Sequence, residues 1–162
     1  MLGLFKKKQK EEVVVAPLTG KVIPLSEVPD PVFAQKMMGD GLGIIPTEGV
    51  LVSPVEGKVI QVFSTKHAVG IQSDFGAEIL IHIGLETVNM NGEGFETFVK
   101  EGDTIKIGQK LITFDLELID EKATSTVTLV VITNGDQIEI VRKDECQEVQ
   151  AGNHTVMTLE KK

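Results

Sequence analysis

His67 and His82 are the two residues of this chain whose type and spacing best suit covalent chemistry, because imidazole is a nucleophile and proton carrier near neutral pH. The segments that carry them alternate as strands do, and Ser-Asp-Phe-Gly at 73–76 is typical of a hairpin turn. A two- or four-residue loop centred between Asp74 and Phe75 would put the two histidines directly opposite each other. Directly opposed residues have Cβ atoms roughly 4.5–5.5 Å apart, so the sequence predicts two rings that share one small group.

The same register divides the neighbouring side chains between two faces of the hairpin. It puts Thr65, Val69 and Leu80 on the histidine face and directs alternate residues such as Ile81 into the core. A three-residue loop with a bulge at Gly76 would shift the pairing by one residue. With the centred loop, we expect a shallow depression beside the histidines that mixes apolar and polar side chains.

Residue types alone leave three interpretations of the histidine pair open. The two side chains could be unrelated strand residues. A zinc site would need a third and a fourth ligand, and no H-x-H or C-x-x-C arrangement stands near the hairpin to supply them. Covalent phosphoryl transfer needs one neutral imidazole as nucleophile and a neighbouring donor to the phosphoryl oxygens, and the hairpin supplies both.

Composition limits the partners and the compartment. The chain has 24 acidic and 16 basic residues, a net charge of −8 and neither Tyr nor Trp, which argues against nucleic acid and favours a basic protein partner. Its one cysteine, Cys146, cannot form an internal disulfide or a multi-cysteine zinc site, so a reducing compartment, the cytoplasm, is predicted. No segment approaches the ~20 apolar residues that a membrane-spanning helix needs.

Short β-strands are the elements that must position the histidines. β-branched runs are interrupted roughly every 8–12 residues by Gly, Pro, Asp or Asn, which is the spacing of a sandwich or barrel. APLTGKVIPL at 16–25 matches SPVEGKVIQV at 53–62, and this repeat indicates a duplicated hybrid (barrel-sandwich) motif. We therefore predict an all-β fold, a flattened antiparallel sandwich or barrel. Helical signals occur only at 31–38, after an Asp30 cap, and at 118–123, so one or two very short helices are expected.

The domain organisation follows from the same patterns. One domain is expected over residues 13–162, preceded by a flexible tail at 1–12. The tail carries a basic cluster next to apolar residues, and a solvated tail or weak contact with an anionic membrane are its two interpretations. These residues are Lys6, Lys7, Lys8 and Lys10, with Leu2, Leu4 and Phe5.

Several segments resemble one known family. They are T-K-H-A at 65–68, L-I-H-I-G-L-E-T-V at 80–88, N-G-E-G-F at 91–95, V-P-D-P-V-F-A at 28–34, G-D-G at 39–41 and residues 115–134. Together they resemble the glucose-class IIA component of the bacterial phosphoenolpyruvate-dependent sugar phosphotransferase system, over essentially the whole chain from residue 13. The resemblance implies that His82 takes a phosphoryl group from the phosphocarrier protein HPr and passes it to a cysteine of a IIB domain. His67 and Thr65 inherit supporting roles.

The resemblance also implies a docking surface for these partners. Its apolar members would be Phe33, Met37, Phe63 and Leu80, with Val69 beside them in the register given above. Its acids would be Asp30 and Glu86. Glu86 stands where the family usually has Asp, which moves the charge by one methylene, and Lys66 adds a cation where a neutral residue is expected.

Two other functions stay open beside the phosphocarrier. A zinc metallopeptidase family shares a duplicated β-motif, although its H-x-H and upstream H-x-x-x-D ligands are absent from this sequence. A regulatory module, in which the unphosphorylated protein binds permeases or kinases, would use the same surface. No resident cofactor is expected, and a zinc ion bound between His67 and His82 in a partner complex stays an open alternative.

Overall fold

The computed structural model describes residues 10–145 and 147–162, which form fourteen strands, two short α-helices and two 3-10 turns. Every strand pair is antiparallel, so the all-β prediction is confirmed, as sheets without a closed barrel. The first strand begins at Glu11, two positions before the expected domain start. Residues 1–9, most of the expected tail, lie outside the described residues.

The largest sheet carries the histidine hairpin and has eight strands. Their order across the sheet is β13 (Glu148–Val149), β2 (Gly20–Pro24), β3 (Asp40–Pro46), β11 (Thr128–Ile132), β7 (Glu78–His82), β6 (Ala68–Ser73), β5 (Gly57–Val62) and β9 (Thr104–Ile105). Two three-stranded sheets accompany it. They are ordered β1 (Glu11–Val15), β14 (Thr155–Lys161), β12 (Ile138–Lys143), and β4 (Val50–Val52), β10 (Lys110–Phe114), β8 (Phe95–Thr97).

The internal repeat of the sequence forms equivalent strands. Its two G-K-V-I segments begin β2 and β5, which are the second strands from the two ends of the large sheet. A Cβ at Gly20 or at Gly57 would collide with a carbonyl oxygen of the neighbouring strand, in β3 and β6 respectively. The two repeated glycines therefore allow the same close approach between neighbouring strands.

Two apolar clusters fill the domain. The main core lies between the sheets and contains fully buried residues such as Val69, Ile71 and Ile81. The smaller cluster covers the opposite face of the large sheet and includes Leu80 and Leu129. Because alternate residues of β6 and β7 face opposite sides, the hairpin is buried on both.

The helices are short, as expected, but their bounds differ from the prediction. Helix α1 spans Pro31–Ala34 and is capped by the Asp30 carboxylate, which accepts a hydrogen bond from the Val32 N–H. Helix α2 spans Leu116–Lys122, beginning earlier than predicted because Asp115 is its cap. None of the helices in the described ranges is long and apolar enough to cross a membrane.

The predicted register of the histidine hairpin is wrong by one residue. Ala68, not His67, lies opposite His82. The loop has three residues, 74–76, because Ser73 N–H donates to the Ala77 carbonyl and Gly76 adopts φ +113°. This slip moves the β6 residues to the opposite faces relative to β7, and Val69 is fully buried in the main core. The prediction that Val69 belongs to a docking surface is therefore wrong.

Candidate active site

His82 is the last residue of β7, at the centre of the large sheet. It is flanked by Ala68 of β6 and Leu129 of β11, and its side chain is half-buried above the smaller apolar cluster. Its Nδ1 lies 2.8 Å from the carbonyl oxygen of Gly84. Since a carbonyl oxygen only accepts, Nδ1 of the neutral ring carries the proton and Nε2 keeps its lone pair.

Gly84 makes that hydrogen bond possible through its backbone conformation. Its φ is +74°, and a Cβ there would meet the Thr87 methyl group and the Ser125 carbonyl oxygen. The chain therefore turns directly after β7 and brings the Gly84 carbonyl back under the imidazole. Sequence reasoning did not identify this contact, for which the only signal was the glycine two residues after His82 in the segment H-I-G at 82–84.

His67 reaches His82 from a loop rather than from a strand. It ends the tight connection between β5 and β6, and Lys66 just before it adopts the left-handed conformation with φ +64°. Ala68, which follows His67, is the residue that lies opposite His82. The ring centroids of His67 and His82 are 4.7 Å apart, with an interplanar angle of 80°, so the structure brings the two imidazoles together despite the register error.

Thr65 fixes the orientation of the His67 ring. The Thr65 Oγ1 and the His67 Nδ1 are 2.7 Å apart. With the hydroxyl as donor, the His67 proton lies on Nε2, the nitrogen not engaged by Thr65. His67 is only 3% exposed, whereas His82 is half-buried, so the more accessible of the two rings is His82.

Both rings are held in the neutral form. Burial, followed by repulsion from His82, lowers the pKa of His67 to about 4, while a hydrogen bond with the Thr65 backbone acts in the opposite direction. Burial also lowers the pKa of His82, and the Gly84 carbonyl and the Asp30 charge oppose that shift. A neutral imidazole with a free Nε2 lone pair is a competent nucleophile at neutral pH.

An apolar rim surrounds the histidines. Phe33 lies with its ring centroid 5.2 Å from that of His82, and Phe63 lies 5.7 Å from His67. Phe33 and Leu80 are largely buried in the smaller cluster, and Phe63 packs against it at the edge. Met37 is 69% exposed, so of the predicted apolar docking residues it is the most available to a partner.

The rim also has members that sequence reasoning missed. Met38 is exposed and shares a groove with Phe63 and Leu80. Val32 on α1, next to Phe33, is exposed as well. Exposure of these apolar side chains has no sequence signature, because a strand or turn pattern does not tell which apolar residue stays uncovered.

The charged residues near the site are held in different ways. Asp30 caps α1, and its charge acts on His82. Glu86 is exposed with φ +60°, and its Oε2 accepts a hydrogen bond of 2.7 Å from the Thr124 hydroxyl. Lys66 is exposed, and its side chain runs past Gly92. In the described residues, no group of three or more His, Cys, Asp or Glu side chains could hold a metal ion.

The fold and the site together define an antiparallel β domain that presents a neutral imidazole, backed by a second one, within an apolar rim. Residues 12–138 match the family model described as phosphoenolpyruvate-dependent sugar phosphotransferase system, EIIA 1. The chain belongs to this family, as the sequence resemblance indicated.

Similar proteins agree with the family assignment along nearly the whole chain. The "PTS system glucose-specific EIIA component" of Bacillus cereus is 56% identical and covers 96% of this chain and 98% of its own length. The protein of the same description from Halalkalibacterium halodurans is 53% identical, over 98% of this chain and 95% of its own. Among solved structures, glucose permease IIA from Mycoplasma capricolum superposes with a TM-score of 0.84 at 41% identity, covering 93% of this chain and 96% of its own.

Proposed function

We propose that this protein is a phosphocarrier of the sugar phosphotransferase system that works in the cytoplasm. It accepts a phosphoryl group from phospho-HPr on Nε2 of His82 and passes it to a cysteine of a glucose-class IIB domain during sugar uptake. The observation that carries this proposal is the bond from His82 Nδ1–H to the Gly84 carbonyl, because it leaves the Nε2 lone pair free on the accessible ring.

In the receiving step, the Nε2 lone pair attacks the phosphorus while the nitrogen–phosphorus bond to the HPr histidine breaks. The bonding electrons return to the HPr imidazole, and the phosphohistidine of His82 forms without any oxidation or reduction. In the donating step, the IIB cysteine thiolate attacks the same phosphorus and the His82 ring leaves. Because one activated phosphoryl bond replaces another, the protein contributes mainly alignment and charge compensation.

His67 and Thr65 supply the charge compensation in this scheme. In this scheme the Thr65 hydroxyl donates to His67 Nδ1, which leaves Nε2–H of His67 as a donor on a ring whose centroid is 4.7 Å from that of His82. That donor binds a phosphoryl oxygen and holds the group for attack from the opposite side. A buried ring with a fixed tautomer loses little entropy when it makes this bond.

The rim supplies the docking surface for both partners. Met37 and its neighbours offer apolar area, while Asp30 and Glu86 offer negative charge to a basic partner surface. One surface can serve HPr and IIB in turn, since both must bring their reactive residue to the same Nε2.

Phosphorylation by purified partners tests the proposal. The full chain is incubated with phosphoenolpyruvate, enzyme I and HPr, and its intact mass is measured under alkaline conditions that preserve phosphohistidine. One phosphoryl group is expected on the wild type and on His154→Ala, a control at an exposed turn histidine, and none on His82→Ala. A phosphoryl group that persists in His82→Ala would disprove the assignment.

A regulatory binding function is the second candidate, and the 69% exposure of Met37 favours it, because such apolar area suits reversible contact with several proteins. Unphosphorylated protein would bind permeases or kinases through the rim. A pulldown with and without phosphoenolpyruvate, enzyme I and HPr distinguishes regulatory binding from phosphoryl transfer. Phosphorylation adds about two negative charges at His82 and should release the regulatory targets.

A zinc ion held between the rings in a partner complex is a further proposal. Nδ1–H of His82 donates to the Gly84 carbonyl, and in the tautomer in which Nδ1–H of His67 donates to the Thr65 hydroxyl, one Nε2 lone pair is left on each ring as a ligand. Two imidazoles fit half of a tetrahedral site, so a partner carboxylate would have to complete it. Zinc titration of the protein with and without the partner, read from the His67 and His82 ring signals, tests this.

A further inference from the structure

The loop after β7 contains a fully buried threonine that contacts the backbone on which His82 depends. Thr87 begins the 3-10 turn Thr87–Met90, and none of its surface is exposed. Its hydroxyl donates a hydrogen bond to the carbonyl oxygen of Ile83, four residues earlier in the chain. A buried hydroxyl and a buried carbonyl thus satisfy each other directly beside the last residue of the strand.

Both ends of the Thr87 side chain lie against one peptide unit. The hydroxyl bonds the Ile83 carbonyl, and the methyl carbon lies 2.6 Å from the position that a Cβ at Gly84 would take. The Ile83 carbonyl and the Gly84 N–H belong to the same peptide unit, here called the 83–84 peptide unit. Thr87 therefore limits how far this unit can rotate.

The next peptide unit carries the acceptor for His82. Its Gly84 carbonyl lies 2.8 Å from Nδ1 of His82, and its Leu85 N–H donates a bond of 2.9 Å to the Ser125 carbonyl. The direction of this unit depends on the torsions at Gly84, and glycine by itself restrains them little. The contacts of Thr87 supply a restraint that the glycine lacks.

The same loop also holds the second histidine. The Ile83 N–H donates a bond of 2.7 Å to the backbone carbonyl of His67. One residue thus bonds the backbone of His67 through its N–H, and its carbonyl, held by Thr87, precedes the acceptor for His82. A displacement of Ile83 would therefore reach both rings.

We propose that Thr87 is a positioning residue of the site, whose hydroxyl acts through the 83–84 peptide unit to keep the His82 proton on Nδ1. The inference rests on the proposed phosphocarrier function, for which the Nε2 lone pair must be free to approach phosphorus. Without the hydroxyl, the buried Ile83 carbonyl loses its donor, and the 83–84 peptide unit turns toward another one. The Gly84 carbonyl then moves away from the ring.

Nitrogen NMR of the full chain, with isotope-labelled histidine at pH 7.5, reads the tautomer of His82 without any phosphoryl transfer. A protonated and a bare ring nitrogen resonate in separate regions of the spectrum. His154 is an internal reference, because its Nδ1 accepts a bond of 2.8 Å from the Gln150 N–H and its proton therefore lies on Nε2. We expect wild-type His82 to show the opposite tautomer, Nδ1–H.

Two substitutions separate the hydroxyl of Thr87 from its methyl group. Thr87→Val keeps the shape and removes the donor, so the tautomer ratio of His82 should shift about tenfold toward Nε2–H, the size of one lost hydrogen bond. Thr87→Ser keeps the donor and loses the methyl group, so it should retain Nδ1–H although urea unfolding shows a less stable protein. A purely structural role of Thr87 would lower stability in both variants and move the tautomer in neither.

Thr128→Val on β11 is the matched control. Thr128 is also fully buried, and its hydroxyl donates a bond of 3.3 Å to the Thr126 carbonyl. The control loses a buried hydroxyl as Thr87→Val does, but His82 should keep its proton on Nδ1.

The pH titration of the His82 ring gives a second readout. Burial lowers the pKa of His82, and the bond to the Gly84 carbonyl opposes that shift. Loss of this bond in Thr87→Val should therefore lower the pKa further, whereas Thr87→Ser should leave it unchanged.

The rate of phosphoryl receipt from phospho-HPr connects the tautomer to transfer. In Thr87→Val the maximal rate should fall in proportion to the lost Nδ1–H population, because only that form has a lone pair on Nε2. The half-saturating concentration of phospho-HPr should not change, since Thr87 is buried and offers no surface to a partner. If wild-type His82 takes no phosphoryl group, the proposed function fails, while the NMR comparison still decides the role of Thr87.

Three results would overturn the proposal. They are retention of Nδ1–H in Thr87→Val, a tautomer shift of equal size in Thr87→Ser or Thr128→Val, and a slower transfer without any change of tautomer. Should Thr87→Val not fold, Thr87→Cys takes its place with the same outcomes, because a thiol is of similar size and is a weaker donor.

Discussion

The buried, neutral state of His67 has a consequence for stability that can be measured. A shift of its pKa from the ordinary 6.5 to about 4 means that the folded protein resists protonation while the unfolded chain accepts it. As the pH falls below 6.5, the unfolded state gains a proton that the folded state does not, so the free energy of unfolding decreases. The decrease stops near pH 4, where both states are protonated.

The size of the effect follows from the shift. A difference of 6.5 minus about 4, at about 1.36 kcal/mol for each pKa unit, gives a loss of about 3 kcal/mol at most. Because His67 is only 3% exposed, solvent screening reduces this figure little. His67→Gln removes the titrating group and keeps a side-chain N–H donor of similar length, so the variant should lose that much less stability on acidification.

Urea unfolding at pH 7.5, 6.5, 5.5 and 4.5 provides the assay. The change with pH is compared within each protein, so any constant effect of the substitution cancels. His154→Gln, at an exposed turn position, is the matched control and should follow the wild-type curve. If wild type and His67→Gln lose the same free energy of unfolding between pH 7.5 and 4.5, the pKa of His67 is not lowered in the folded protein and the argument for its neutral ring fails.

Two further predictions concern the site. Thr65→Val removes the 2.7 Å hydrogen bond to His67 and should slow phosphoryl receipt from phospho-HPr about tenfold. Such a bond is worth about 1–1.5 kcal/mol, and ~1.4 kcal/mol corresponds to a factor of ten in rate. Thr113→Val on β10 is the control, and an equal rate of receipt in both variants would show that Thr65 has no role in transfer. The double variant Asp30→Asn, Glu86→Gln keeps the α1 cap and the acceptor for the Thr124 hydroxyl but removes two negative charges. The rate of phosphoryl receipt, measured by stopped flow, should therefore fall at low salt. It should converge with the wild-type rate as the screening length shortens from ~8 Å to ~3 Å near 1 M salt. Equal salt slopes would show that apolar contacts alone govern the encounter.

The sequence predicted the fold because its signals are local. Strand-like runs, the 16–25 and 53–62 repeat and the Asp30 cap each depend on neighbouring residues, and each has its counterpart in β2, β5 and α1. The end of α1 at Ala34 was not predictable in the same way, because it depends on Lys36 taking a left-handed conformation. Nothing about a lysine favours that conformation, which is accompanied by bonds from the Lys36 N–H to the Phe33 carbonyl and from the Met37 N–H to the Val32 carbonyl.

The hairpin register shows where local reasoning stops. Gly76 signals a turn, but the choice between loops of two, three or four residues depends on Ser73, whose hydroxyl accepts bonds from the Gly76 and Ala77 N–H groups. One residue of slip moved Val69 from the expected surface into the main core. The same slip should have separated His67 from His82, since neighbouring positions on a strand face opposite sides.

The two histidines meet because only one of them belongs to the sheet. His82 is fixed by strands on both sides and by the Gly84 carbonyl, whereas His67 enters from the 63–67 connection after the left-handed Lys66. A nucleophile benefits from the more rigid support, because its Nε2 must meet two different partners at the same point. A donor to phosphoryl oxygens can stand on a loop, provided that a contact such as that of Thr65 fixes its tautomer. The division between strand and loop therefore matches the division of labour proposed for the two rings.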